Sequence, residues 1–304
     1  MKKTIYYLLA ASICVAMLTF GSCSDDEELP PINGYDKADD VASDNLLAHW
    51  TFNGTNEEKI SSVEPTVEEN NAFMDGIKGQ ALSLDEGYLL YPTITALNTA
   101  NAVASVTVSA WVNITNNNAT VSSIFNITQA LDVQTDWNTG SVLMYAETNK
   151  PLAKNDTLVL HSAFSTYISD VRYGGDNIND YGVRGTDFQT VKGTDRWVHY
   201  VMRYDGAGSF IDIYADGVRV SNNNFRYRSY DPGTGVVGLG PINQTIPTRV
   251  LIGAFPTAAA GFLSSPDQGW QGLMTGGVDE IRVYNKALSD LEIGSLYALE
   301  LAGR

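Results

Sequence analysis

Residues 106–114 show the pattern that recurs along the chain. Val106, Val108, Ala110, Val112 and Ile114 alternate with Thr107, Ser109, Trp111 and Asn113, the period of two expected of a strand with one buried face. The aliphatic set should face an interior and Trp111 the opposite side. Further runs rich in β-branched and aromatic residues predict strands at 46–52, 81–84, 88–91, 121–127, 141–145, 157–164, 197–204, 209–215, 218–220, 251–255, 271–274 and 278–284. Asp216-Gly217 is a two-residue hairpin signal, and Asp85-Glu86-Gly87 reads as a three-residue hairpin connection. Polar residues 53–75, the glycine-rich insert 222–248 and the stretch Tyr173-Gly174-Gly175-Asp176-Asn177 read as loops.

One helix interrupts this pattern, at the C-terminal end. In the strand before it, Ile281 and Val283 share one face, and Glu280, Arg282 and Tyr284 the other. Ser289 then serves as N-cap, with Glu292 three residues on completing a capping box, and Leu288 and Ile293 are placed for a hydrophobic staple. Ile293, Leu296 and Tyr297 follow as a stripe that can dock on a sheet.

Several of these segments carry a resemblance. Leu47-Ala48-His49-Trp50-Thr51-Phe52, Gly79-Gln80-Ala81-Leu82-Ser83-Leu84, the 106–112 strand, Trp197-Val198-His199-Tyr200, Tyr214-Ala215-Asp216-Gly217-Val218, Leu251-Ile252-Gly253 and the closing Gly276–Leu288 stretch stand in the order found in LamG-like domains. The chain therefore resembles that branch of the concanavalin A-like lectin and glucanase superfamily. The resemblance implies an all-β, two-sheet antiparallel jelly-roll sandwich with a short C-terminal helix, and a lectin-like or glucanase-like function. It also brings in calcium as a cofactor, with Asp279 a contributor near the sheet edge. Ser61-Ser62-Val63-Glu64-Pro65 stands where relatives often carry an Asp/Asn/Gly-rich loop, which removes familiar calcium partners.

The N-terminal region is organised differently. Lys2 and Lys3 precede an apolar run that ends at Phe20-Gly21-Ser22-Cys23, the layout of a signal peptide over 1–22. The last four residues resemble a bacterial lipobox with Cys23 as the lipidated residue. Ser24-Asp25-Asp26-Glu27-Glu28 is similar to the export signal of Bacteroidetes surface lipoproteins. Residues 23–44 read as an acidic, disordered tether, and 45–304 as the domain. The expectation is an outer-membrane lipoprotein, exposed at the cell surface and held by its lipid anchor. The two cysteines, Cys14 and Cys23, both lie ahead of that domain, so it has no disulfide. A formal charge of −16 in 304 residues argues against a nucleic-acid partner.

Motifs for catalysis are lacking. The three histidines, His49, His161 and His199, are not paired at metal-ligand spacing and read as structural. Asp279 and Glu280 are adjacent and read as pointing to opposite faces, and no E-x-D-x-x-E pattern supplies paired carboxylates for glycoside hydrolysis. Aromatic residues with polar neighbours are the remaining candidates, because sugar rings present apolar C–H faces to Trp or Tyr. Trp137, Tyr173, Tyr181 and Trp270, with Asp176, Asn177 and Arg184 as polar anchors, form the expected ligand site. The expected function is a non-catalytic glycan- or polysaccharide-binding module, working beside other surface glycan-utilisation proteins. The alternatives are a glycoside hydrolase or polysaccharide lyase, and a protein-binding adhesion domain.

Overall fold

A computed structural model describes residues 29–149, 157–179, 191–193 and 196–304, and residues 31–304 make one packed unit. The signal-peptide and Cys23 expectations lie outside the described residues. In chain order the strands are β1 (Leu46–Trp50), β2 (Val67–Asp75), β3 (Gln80–Tyr91), β4 (Val106–Ile114), β5 (Val121–Gln129), β6 (Val142–Ala146), β7 (Thr157–Leu158), β8 (Leu160–Ile168) and β9 (Val171–Ile178). They continue with β10 (Val191–Lys192), β11 (Val198–Asp205), β12 (Phe210–Ala215), β13 (Val218–Arg219), β14 (Ser229–Tyr230), β15 (Val237–Gly238), β16 (Thr248–Ile252), β17 (Gln271–Gly272) and β18 (Met274–Tyr284). One α-helix, α1 (Asp290–Leu301), closes the chain.

The strands form a jelly-roll sandwich built from one curled sheet. Its path runs β13-β12-β11-β4-β18-β3 across one layer and β3-β16-β5-β6-β8-β9 across the other, so β3 belongs to both. Pairing along this path is antiparallel; the short β17 joins β5 in parallel. Val106, Val108, Ala110, Val112 and Ile114 face the space between the layers, where they meet Ile124, Ile127, Met144 and Phe164 from the opposite layer. Trp111 points the other way, as the alternation requires. Asp216-Gly217 makes the expected two-residue turn, with both residues at positive φ between Ala215 and Val218.

Asp85-Glu86-Gly87 does not reverse the chain. β3 runs through it as a bend, with Glu86 at φ 50° and a matching slip in β2 at Asn70, φ 45°. A Cβ at Gly87 would collide with the carbonyls of Glu69 and Asn70, so glycine permits the close approach of two bent strands. This bend carries β3 from β18 to β16. Residues 67–75, expected as loop, are the edge strand β2, whose polar residues stay largely exposed.

The terminal helix docks on the outer face of the first layer. Ser289 and Glu292 form the capping box, with Ser289 N–H donating to Glu292 Oε2 (2.7 Å) and Glu292 N–H to Ser289 Oγ (3.2 Å). Leu288, Ile293, Leu296 and Leu299 are buried against Val201, Tyr214 and Tyr284. Trp111 stacks on Tyr297 at 5.6 Å and donates its Nε1–H to Glu300 (2.8 Å). Beneath it, fully buried Arg282 donates to Glu300 Oε1 (2.8 Å) and Glu280 Oε2 (2.7 Å). Burial pushes Glu300 up, to about 7, against the pull of Arg282.

The domain begins earlier than the sequence suggests. Residues 31–44 are not a disordered tether: Ala38 and Val41 are buried against α1, and Ile32 and Tyr35 are partly so. Asp39 forms an ion pair with Arg282 at 2.8 Å, and Asn33 donates to Ser295 Oγ (2.9 Å). The acidic composition hides four apolar residues spaced three apart, and these supply the contact.

Candidate functional site

The outer face of the second layer carries a cleft of ≈ 470 Å³. Alternation along β6 and β8 sends Val142, Met144, Leu160 and Phe164 to the interior and Tyr145, His161 and Ala163 to this outer side. β9 borders it with Arg172, Tyr173 and Asp176, and the loop after β5 adds Trp137 and Asn138. Trp137 is half-buried and wedged edge-on against Tyr145 (6.1 Å), Phe255 (5.8 Å) and Trp270 (5.0 Å), measured between ring centroids. Its orientation is therefore set before any ligand arrives. Arg172 pins the same loop, donating from Nε to Ser165 Oγ (2.9 Å) and from Nη2 to Asn138 O (3.0 Å) and Oδ1 (2.7 Å).

His161 lies between two carboxylates, with Nδ1 2.9 Å from Glu147 and Nε2 2.8 Å from Asp176. Burial by itself would lower its pKa, but the hydrogen bonds to Asp176 and Glu147 outweigh that and raise it. Asp176 moves the other way: its hydrogen bond with His161 is the largest influence, and Arg228 Nη2 at 2.8 Å adds to it. The Asp176 carboxyl is thus held ionised, with both oxygens engaged.

Of the residues expected to bind a ligand, Trp137, Tyr173 and Asp176 come together at this cleft. Tyr173 lines only its margin: it shares the phase of Asn177, and its ring packs on Tyr230 at 4.8 Å beside the interior cluster. Trp270 braces Trp137 from outside the cleft and donates Nε1–H to Gln268 (2.7 Å). Asn177 does not belong to it. The expected loop 173–177 is strand β9, and its alternation turns Asn177 inward. There Nδ2 donates to the carbonyls of Ile211 (3.0 Å) and Asn222 (3.1 Å), tying β9 back to β12 and closing the curl. Gly174 and Gly175 suit a strand here, because a Cβ at either would strike the Phe164 carbonyl or the Arg228 side chain. Tyr181 and Arg184 lie outside the described residues.

Tyr145, His161, Arg172 and Asn138 were not expected at a ligand site from the sequence; His161 was read as structural. Tyr145 and His161 stand out of phase with the buried Met144 and Leu160, but Leu143 and Val159 share their phase, so alternation alone does not mark them. Asp279, named for calcium, is a backbone acceptor: Oδ2 takes the N–H groups of Ile77 (2.8 Å) and Lys78 (3.2 Å), and Oδ1 that of Glu280 (2.8 Å). Burial pushes its pKa up to about 7. Among the described residues, no group of three His, Cys, Asp or Glu side chains is arranged to hold a metal ion. His49, 2.9 Å from Glu280, and His199, against the Trp111 ring at 5.1 Å, are packed inside as expected.

No protein-family profile matches the chain, and no curated protein sequence does. Among solved structures, the binding domain of botulinum neurotoxin serotype G superimposes with a TM-score of 0.51 at 10% identity, over 84% of this chain and 51% of that one. The two share a fold. Domain 4 of AbnA, a GH43 extracellular arabinanase from Geobacillus stearothermophilus solved in complex with arabinotriose, aligns with a TM-score of 0.47 and 19% identity, covering 83% of this chain and 98% of the other. The binding domain of Paraclostridial mosquitocidal protein 1 gives a TM-score of 0.48 at 15% identity, over 84% of this chain and 52% of that one. This chain thus spans about half the length of the toxin binding domains.

Proposed function

We propose that residues 31–304 are a carbohydrate-binding domain and that the cleft on the second layer seats the sugar. The observation that carries this reading is Trp137. It is a half-buried indole locked by three aromatic neighbours, beside Asn138, Arg172 and Asp176 in one cleft. A pre-positioned aromatic surface bordered by a few polar groups suits a ring with one apolar face and a hydroxyl rim. Binding is favoured over hydrolysis because a retaining or inverting hydrolase needs a protonated carboxyl near neutral pH. Asp176 is the one carboxylate lining the cleft among the described residues, and its contacts with His161 and Arg228 favour its ionised form over that acid.

A glycan array with the full chain should return polysaccharide ligands. Trp137→Ala should then weaken their binding about fivefold or more, since one aromatic contact contributes roughly 1 kcal/mol. An unaltered affinity in a folded variant would place the sugar elsewhere. Activity on a polysaccharide panel would instead favour the hydrolase or lyase reading, and a protein partner without any array signal the adhesion reading.

The same proposal includes surface display, as a LamG-like domain on a lipoprotein of the Bacteroidetes type. It rests on the Phe20-Gly21-Ser22-Cys23 sequence and the acidic residues after it. Residues 24–30 would then form the link between lipid and domain. Cys23→Ala should shift the full chain from the membrane fraction to the soluble one; unchanged partitioning would count against the anchor.

A further inference from the structure

Most described arginines are paired with a carboxylate; Arg172 and Arg249 have no described one within 4.0 Å, and of these two only Arg172 lines the cleft. Arg196, Arg203, Arg219, Arg226, Arg228 and Arg282 each have a carboxylate within 4.0 Å. Arg172 has only neutral partners among the described residues, Ser165 and the backbone and side chain of Asn138. A guanidinium has five N–H donors. Three contacts engage Nε and Nη2, leaving the two donors of Nη1 without a protein acceptor. In a chain of formal charge −16, an arginine with no described carboxylate within 4.0 Å, fixed at the border of a cleft, has its charge available to a ligand.

The rest of the cleft agrees with this. Asp176 has one oxygen on Arg228 and the other on His161, so its charge is compensated from two sides. Glu147 lies against the other nitrogen of the same imidazole. Neither carboxylate is left facing the cleft uncompensated by a cationic or hydrogen-bonded partner. From Arg172 and this compensation we infer that the cleft selects sugars bearing an anionic group, a carboxylate or a sulfate ester, with Arg172 as the residue that receives it. The inference rests on the carbohydrate-binding reading and narrows it to a ligand class. Ser165 and Asn138 hold the guanidinium in place, so a bidentate contact with the anion loses little side-chain freedom.

The test compares ligands as well as variants. Binding of the full chain is measured to polygalacturonate, to the same polymer after carboxyl reduction, to a carrageenan and to neutral arabinan. Wild type should bind polygalacturonate or carrageenan at least tenfold more tightly than the reduced or neutral polymers, and added salt should narrow that gap. Preference between the two acidic polymers tells carboxylate from sulfate. Arg172→Gln should abolish the preference, weakening the acidic polymers at least about fivefold more than the neutral ones, and Arg172→Lys should restore part of it. A mere clamp on the Trp137 loop would instead weaken all four ligands together. Equal binding of native and reduced polygalacturonate by wild type, with carrageenan no better, overturns the acid preference and leaves the carbohydrate reading standing. Failure of wild type to bind any of the four overturns both. Since the ligand comparison is made with wild type, it decides the matter even if a variant misfolds.

Discussion

Replacing Arg282 with methionine should lower unfolding stability by about 3–5 kcal/mol, read as a fall in the urea midpoint. Arg282 is fully buried and contacts Glu280, Glu300 and Asp39, which come from β18, α1 and the N-terminal segment. Removing the cation leaves Glu280 and Glu300 buried without it, while Asp39 remains partly exposed. That cost exceeds what a single lost contact would give. Adding Glu300→Gln to Arg282→Met should recover part of the loss, because it removes one of the stranded charges. A variant whose midpoint moves by less than the equivalent of about 1 kcal/mol would show that solvent reaches the cluster.

Beginning the chain at Asn45 instead of Pro31 should have an effect of similar size. The shorter chain loses the buried side chains of Ala38 and Val41, the partly buried Ile32 and Tyr35, and the Asp39 partner of Arg282. Burial of a valine alone stabilises by roughly 1.5–3 kcal/mol, and the exposed helix face adds to that. Urea unfolding of the two chains in parallel should therefore give a deficit of about 3 kcal/mol or more for the shorter one. Coincident curves would mean that residues 31–44 only lie on the surface.

The parts of this fold that follow local rules were legible in the sequence. β4 alternates without interruption, and the helix has its cap, staple and stripe within ten residues, Leu288 to Tyr297. β2 and β9 were not legible, because strands at the edge of a sheet tolerate polar residues and glycines that a central strand would exclude. The candidate site was legible only in part. Trp137, Tyr173 and Asp176 announce themselves by type, but His161 does not. Its partners Glu147 and Asp176 are 14 and 15 residues away along the chain, and only the pairing of β6, β8 and β9 brings them together. Arg172 looks like an ordinary hairpin residue until its neighbours are known to be neutral.

The two ends of the packed unit meet on the helix-covered face. Ala38 donates its N–H to the Arg304 carbonyl (3.2 Å), and Arg304 Nε donates to Asp36 O (3.0 Å). The cleft opens on the opposite layer. A sensor surface, affinity tag or fluorescent fusion joined at either residue 30 or residue 304 would therefore sit on the far side from Trp137 and leave its approach unobstructed.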